Sequence, residues 1–369
     1  GRTSPVFPGE RLRLGWGGTE TPSPWAIGSK DGGHDAIHPD LGTMDDFDAF
    51  VARAGELGLE VALDLALQAA PDHPWVTTHP QFFTTRADGS IAYAENPPKK
   101  YQDIYPLNFD NDPTGICREV LRVVKLWMSH GVRIFRVDNP HTKPVAFWEW
   151  LLREGRRTDP DVLFLSEAFT RPAMMHGLGA VGFHQSYTYF TWRTAKWEIE
   201  EYLRELSSES DHLMRPNFFV NTPDINPFFL QDSGRASHRI RLALAATLAG
   251  NYGVYNGFEI CDGRPIPGKE EYLDSEKYEI RDWDFDREGH IKDDIRLMNR
   301  IRRKHAAMRD FTNLEFFDAH DDAVLCYGRF DKAADSYLLF HVLLDPQAGR
   351  EFGFDLPLWR FGLPDEASI

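Results

Sequence analysis

Four short apolar runs in this chain end close to an acidic residue, and this regular pattern is the feature that most constrains the fold. The runs before Asp64, Asp138, Glu167 and Asp224 are rich in Val, Leu, Ile and Phe, as buried strands are. Amphipathic helical segments separate several of them. Alternating strands and helices predict an α/β fold with a parallel sheet that is covered on both faces.

The number of β–α units indicates which kind of parallel sheet to expect. Apolar periodicity predicts strands at 58–65, 132–137, 162–165, 182–190, 217–221 and 252–256, and helices at 116–128, 193–206, 236–249 and 292–305. A further helix follows Thr43, which can form a capping box with Asp46, and another opens at Pro144. About seven units in series are too many for a small open sheet, so we predict a TIM (β/α)8-type barrel.

The barrel is predicted to occupy residues 1–312, with two additions. A stretch rich in Pro, Asn, Lys and Tyr at about 69–112 predicts a lobe inserted after strand 3. Residues 313–369 are predicted to begin a C-terminal antiparallel β-sandwich domain, with strands at 323–330, 336–344 and 351–356. Because residues 23–29 resemble the second barrel strand, we expect a barrel that lacks its first strand, in a fragment of a longer enzyme.

Composition excludes several classes of partner. The net charge of −16 argues against nucleic acid as the main partner, and no apolar run is long enough to cross a membrane. Three unpatterned cysteines indicate reduced thiols in a cytoplasmic protein. The absence of CxxC and HExxH motifs predicts no metal site.

Carboxylates at the ends of neighbouring strands point to chemistry at the mouth of a barrel. Arg136 lies two residues before Asp138 and therefore on the same face of its strand. A cation there favours the ionised, nucleophilic form of Asp138, whereas partial burial suits Glu167 to act as an acid. The alternative interpretation is that each acid caps the helix that follows it. Four acids in equivalent positions favour the catalytic interpretation.

These residues also carry a resemblance to a known family. The segments 135–141, 164–168 and 219–224 are similar to the strand 4, 5 and 7 motifs of the α-amylase superfamily, glycoside hydrolase family 13. Within it, residues 94–105, 138–144, 167–172 and 273–279 resemble the α-1,4-glucan:maltose-1-phosphate maltosyltransferases. The similarity covers roughly residues 23–310.

The resemblance implies a role for each matching position. It implies that Asp138 is the nucleophile, Glu167 the acid/base and Asp224 the stabiliser of the transition state. It also implies that Arg136 is one of the residues that bind substrate, together with the residues that follow. Contacts to the donor phosphate are implied for Asn96, Lys99, Tyr101 and Asn139, and contacts to the maltosyl unit for Gln68, Asp103, Lys277 and Tyr278.

The implied activity is a retaining transfer of maltosyl units from α-maltose 1-phosphate to the non-reducing end of an α-1,4-glucan, with neither a metal nor an organic cofactor. It predicts that the carboxyl groups of Asp138 and Glu167 lie ~5–5.5 Å apart. The full-length protein is expected to be a possible homodimer. Two alternatives remain: an α-glucan hydrolase or transglycosylase of the same superfamily, and an inactive barrel with a binding or scaffold role.

Overall fold

The computed structural model of the chain describes residues 26–96, 99–232, 234–275 and 281–361, together with 364 and 366. These residues form two compact units. The first unit runs to Tyr187 and also holds residues 274, 275 and 281. The second unit comprises Thr188–Leu273 and the described residues from Asp282 onward.

The first unit alternates strands and helices along most of its length. Its helices are α1 (Met44–Glu56), α2 (Pro74–Thr78), α3 (Pro113–Ser129), α4 (Val145–Thr158) and α5 (Pro172–Ala180). Its strands are β1 (Ala62–Leu65), β2 (Gln68–Ala69), β3 (Ala94–Asn96), β4 (Lys99–Tyr101), β5 (Tyr105–Pro106), β6 (Ile134–Asp138), β7 (Leu163–Glu167) and β8 (Gln185–Tyr187).

A parallel sheet with the order β1-β6-β7-β8 forms the centre of this unit. The helices α3 and α4 connect consecutive strands of the sheet, as the predicted β–α units require. Apolar residues from the strands and from these helices build one core, in which Phe135 and Phe164 stack with ring centroids 5.4 Å apart. The parallel order places the carboxyl ends of all four strands at one edge.

Local sequence signals fix the ends of the helices in the first unit. Thr43 and Asp46 form the predicted capping box at the start of α1, so this prediction is confirmed. The side chain of Asp112 accepts the amide of Gly115 at the start of α3, and Pro113 occupies the first helical position. The buried residues of α3 lie on one stripe, which ends with Trp127 donating to the His34 carbonyl at 2.8 Å.

Residues 68–106 contain two small antiparallel pairings rather than a continuation of the sheet. Gln68 and Ala69 of β2 pair with β5, and Ala94–Asn96 pairs with Lys99–Tyr101 as the hairpin β3–β4. Ile104 and Ala70 are buried with Ala26 in a cluster against which Tyr101 packs. The segment predicted as an inserted lobe thus contains strand pairs, and its apolar residues are divided between this small cluster and the main core, which includes Trp75, Phe82 and Phe83.

The second unit contains a short parallel pair and a larger antiparallel sheet. Its helices are α6 (Lys196–Arg204), α7 (Phe228–Gln231), α8 (Gly234–Leu248) and α9 (Lys292–Lys304). Its strands are β9 (Pro216–Phe219), β10 (Asn251–Gly253), β11 (Leu314–Phe317), β12 (Val324–Asp331) and β13 (Ser336–Leu343). The strands β9 and β10 pair in parallel, whereas β11, β12 and β13 form an antiparallel sheet.

Three strand predictions need correction. The region 351–356 forms no strand; the Asp355 amide donates to the Asp318 carbonyl at 3.0 Å, and the rings of Phe352 and Phe354 pack on His341. The strand predicted at 182–190 is limited to β8, since a 3-10 turn, Tyr189–Trp192, follows it. Of the strand predicted at 23–29, residues 26–29 form only an isolated bridge at Ser29, and residues 23–25 lie outside the described residues.

None of the helices within the described ranges combines the length and the apolar character that a bilayer crossing needs.

Candidate active site

Asp138 and Glu167 are the last residues of the adjacent strands β6 and β7, and they face each other in the register. Both residues are buried, with 4% and 7% of their surface exposed. Neither caps a helix, since the residues at the N-cap positions of α4 and α5 are Pro144 and Arg171. The capping interpretation of these two acids is therefore wrong.

One guanidinium joins the strand-end acids. Arg136 Nη1 lies 2.9 Å from Asp64 Oδ1 and 3.2 Å from Asp138 Oδ1. Its Nη2 lies 3.1 Å from Glu167 Oε1. This follows from the register, because Arg136 is opposite Asp64 on β1 and two residues before Asp138 on its own strand. A planar fork of donors can engage several carboxylates at once, which a lysine could not do with the same geometry.

The charges at this centre influence one another strongly. Burial acts to lower the pKa of Arg136, but the carboxylates of Asp64, Glu167 and Asp138 raise it well above its ordinary value. Burial raises the pKa of Asp64, with Arg136 opposing that shift. One permanent cation among three carboxyl groups leaves an excess of negative charge when they are ionised. Such a centre stabilises a substrate that develops positive charge.

The turn after β6 brings a backbone donor to the acids. Asn139 has a φ of 42°, a left-handed conformation that asparagine adopts more readily than most other non-glycine residues. In this conformation its amide donates to Glu167 Oε2 at 3.1 Å, and its side-chain Nδ2 donates to Asp138 Oδ1 at 3.3 Å. Trp148 also stabilises this turn, because its indole N–H donates to the Pro140 carbonyl at 2.8 Å.

The residues predicted to hold the maltosyl unit have different positions relative to the acids. Gln68 lies beside Asp138, with its Nε2 3.4 Å from Asp138 Oδ2. Asp103 is half-buried in the turn that follows β4. Lys277 and Tyr278 lie outside the described residues.

The residues predicted to bind the donor phosphate are on the hairpin β3–β4 and on the turn after β6. Asn96 and Lys99 are register partners in the hairpin, and Tyr101 ends it. Tyr101 is half-buried and packs against the cluster that contains Ile104. Asn139, whose contacts are given above, completes this set.

Asp224 belongs to the second unit and lies between β9 and α7. Its amide donates to Thr222 Oγ1 at 3.2 Å, and an isolated bridge between Thr222 and Ile225 closes the turn. Asp224 is half-buried. The turn thus holds Asp224 a few residues beyond the end of its strand, as the sequence pattern predicts.

Two residues that the sequence interpretation missed face the same acids. The Arg136 guanidinium carbon lies 5.7 Å from the centroid of the Tyr187 ring, and burial raises the pKa of Tyr187 to about 12. Burial lowers the pKa of Lys143, and the nearby carboxylates of Asp138 and Glu167 oppose that shift. The sequence contained a signal that could have identified both residues as part of the site. Tyr187 ends strand β8, as the acids end their strands, and Lys143 lies within the segment 138–144 that begins at Asp138.

The buried histidines of the first unit form a packed pair. The amide of Trp75 donates to His73 Nδ1, so His73 Nε2 carries the proton and donates to His34 Nδ1 at 3.0 Å. His34 Nε2 then donates to the Ala66 carbonyl at 2.7 Å. Burial lowers the pKa of His34 to about 4 and that of His73 to about 3. The pair therefore stays neutral at pH 7.

Comparisons with curated proteins identify long, highly similar relatives. The chain is 58% identical over 375 residues to "Alpha-1,4-glucan:maltose-1-phosphate maltosyltransferase" of Cereibacter sphaeroides. The alignment covers 99% of this chain and 56% of that protein. Proteins of the same name from Mycolicibacterium smegmatis and Corynebacterium glutamicum are 57% and 54% identical, over 92% and 97% of this chain. These matches cover 50% and 55% of the two relatives. The chain thus spans about half the length of the curated relatives it matches.

Comparison with solved structures supports the fold alone, and no family model matches the chain. A maltogenic α-amylase, AmyB from Thermotoga neapolitana, superposes with a TM-score of 0.69 at 21% identity, over 89% of this chain and 73% of that one. An α-amylase from H. orenii gives a TM-score of 0.66 at 18% identity, over 87% and 78%. The architecture is therefore that of the α-amylases, whose parallel sheet forms a TIM barrel.

Proposed function

Because the chain is homologous over nearly its whole length to the α-1,4-glucan:maltose-1-phosphate maltosyltransferases, we propose that it carries out this transfer. The enzyme would move maltosyl units from α-maltose 1-phosphate to the non-reducing end of an α-1,4-glucan and release phosphate. The observation that carries the proposal within the structure is the pair Asp138–Glu167, two buried carboxyl groups on adjacent strand ends that share Arg136.

The proposed mechanism uses the two acids in turn. Asp138 attacks the anomeric carbon while Glu167 assists departure of the phosphate, so that a β-maltosyl-enzyme forms. Glu167 then takes the proton from the 4-hydroxyl of the acceptor glucan, whose oxygen displaces Asp138. Two inversions give net retention of the α configuration. Asp224 would stabilise the positive charge that develops on the sugar ring in both steps.

The proposed substrate contacts follow the same assignment. Asn96, Lys99, Tyr101 and Asn139 would bind the donor phosphate, and Gln68, Asp103, Lys277 and Tyr278 would bind the maltosyl unit. The contact of Gln68 with Asp138 supports a place for Gln68 beside the sugar that Asp138 attacks. A lysine suits a phosphate as a compact point charge. Lys143 adds a further cation near the two acids.

The finer architecture is also a proposal. The parallel strands of the two units would belong to one (β/α)8-type barrel within residues 1–312, with the inserted lobe at about 69–112. The antiparallel sheet β11–β13 supports a C-terminal β domain that begins near residue 313. Three cysteines without disulfide bonds are consistent with a cytoplasmic location, and a homodimer is proposed for the full-length protein.

The test is a phosphate-release assay with α-maltose 1-phosphate and glycogen. Phosphate release together with elongation of the glucan would support the transferase. Release of free maltose without elongation would instead support a hydrolase. Asp138→Ala should abolish release, whereas Asp161→Ala, which removes an exposed acid shortly before β7, should retain it. Full activity of Asp138→Ala would contradict the proposed mechanism.

A further inference from the structure

Three aromatic side chains of the second unit flank the turn that carries Asp224. Tyr189 and Trp192 lie on the 3-10 turn after β8, with ring centroids 5.7 Å apart. Phe228 is the first residue of α7, and 56% of its surface is exposed. We call Tyr189, Trp192 and Phe228 the aromatic platform. The exposed ring of Phe228 leaves apolar surface near this turn that is available to a ligand.

A single carboxylate holds two members of the aromatic platform together. Glu270 Oε2 accepts the indole N–H of Trp192 at 3.0 Å, and Glu270 Oε1 accepts the amide of Phe228 at 3.1 Å. The hydrogen bond satisfies the polar edge of the indole and fixes the plane of its ring. The orientation of Trp192 relative to α7 is therefore set before any ligand binds.

A buried arginine fixes the turn from the other side. Arg241 on α8 donates from Nη2 to the Phe190 carbonyl at 2.6 Å and from Nη1 to the Arg193 carbonyl at 2.7 Å. Only 1% of Arg241 is exposed, and its guanidinium carbon lies 4.0 Å from the centroid of the Phe190 ring. Two carbonyls of the segment that carries Tyr189 and Trp192 are thus held by one rigid fork, which preorganises both rings.

The aromatic platform is joined to the turn of Asp224 through the same glutamate. The amide of Asn226, two residues after Asp224, donates to the Glu270 carbonyl at 2.9 Å. Glu270 therefore anchors the backbone beyond Asp224 and, through its side chain, both Trp192 and the start of α7. A ligand that touches the platform would also pass close to the chain segment of the proposed transition-state stabiliser.

We propose that the aromatic platform is a binding subsite for the acceptor glucan and that Glu270 is its positioning residue. The C–H faces of a glucose ring are apolar and slightly positive, so they stack on the negative face of an aromatic ring. A neutral polymer of such rings needs rigid apolar surfaces rather than charges, which is what the three side chains offer. The inference rests on the proposed function, because it assigns the acceptor of that reaction.

The test separates acceptor binding from catalysis in the full-length protein. Trp192→Ala and Phe228→Ala should each raise the KM for maltohexaose about tenfold, the cost typical of truncating an aromatic anchor. The KM for α-maltose 1-phosphate should stay unchanged. Trp192→Phe keeps a ring and should restore most of the acceptor affinity. Phe50→Ala removes an equally exposed ring from α1 and should have no effect, since 56% of Phe50 is also exposed.

Direct binding distinguishes this inference from the proposed function. Calorimetric titration with maltohexaose, without donor, should show weaker binding for Trp192→Ala, Phe228→Ala and Glu270→Gln than for the wild type. If the variants bind maltohexaose more weakly but the wild type releases no phosphate, the subsite is supported and the proposed transferase activity is refuted. Unchanged acceptor affinity in the two alanine variants would overturn the subsite. An equal rise in the KM of donor and acceptor would also overturn it, because it would indicate a general structural role.

Discussion

Acidification should destabilise the first unit through the histidine pair His34–His73. Both histidines are neutral in the folded protein, since their pKa values are about 4 and about 3, whereas an unfolded histidine titrates near 6.5. Below pH 6.5 the unfolded chain binds more protons than the folded chain. The free energy of unfolding therefore falls as the pH falls, until the pH reaches the folded pKa values.

The magnitude follows from the size of the two pKa shifts. Between pH 7 and pH 5 an unfolded histidine becomes almost fully protonated while His34 and His73 stay mostly neutral. Each histidine should then reduce the free energy of unfolding by about 2 kcal/mol over this interval. The two contributions are coupled through the hydrogen bond from His73 Nε2 to His34 Nδ1.

Urea denaturation at pH 7 and pH 5 measures this loss. The wild type should lose about 4 kcal/mol more over the interval than the double variant His34→Gln/His73→Gln, which cannot titrate at these positions. His212→Gln, which removes an exposed histidine, is the matched control for a histidine-to-glutamine change as such. If the double variant loses stability as steeply as the wild type, the buried pair is not the origin of the acid sensitivity.

Three further substitutions test the local geometry. Gly33→Ala should lower the free energy of unfolding by about 1–3 kcal/mol in urea, because a Cβ there would lie 2.5 Å from His73 Nε2. Thr43→Ala should cost about 1 kcal/mol in the same experiment through loss of the capping box. Arg136→Met should lower kcat/KM in the phosphate-release assay about tenfold or more, because Asp64, Asp138 and Glu167 lose the donors that orient them. An unchanged kcat/KM would show that this guanidinium does not position the acids.

The sequence predicted the order of the elements better than their ends. Apolar periodicity located α3 and β6, because a continuous core face leaves an unambiguous pattern. It overextended β8, since the turn at Tyr189–Trp192 is set by hydrogen bonds from Arg241, which is distant in sequence. The periodicity also failed to predict β11, which pairs with residues 326–329 of β12 across an intervening loop.

The candidate site could be predicted where its residues share a strand face or lie at the ends of neighbouring strands, as Asp138 and Glu167 do. Arg136 and Asp138 share a strand face, so their proximity follows from the two-residue spacing. The contact between Arg136 and Asp64 depends on how β1 and β6 align, and a sequence alone does not give that register. Asparagine favours a left-handed turn, but the direction of the Asn139 amide toward Glu167 depends on how β6 and β7 align.

The shared guanidinium makes the acids of this site mutually dependent under substitution. Arg136 touches Asp64, Asp138 and Glu167 at once, so replacing one acid changes how tightly the arginine holds the other two. Effects of paired substitutions here should be strongly epistatic, with double variants departing from the sum of the single ones. Anyone who alters the reactivity of Asp138 by design would have to redesign all four side chains as one group.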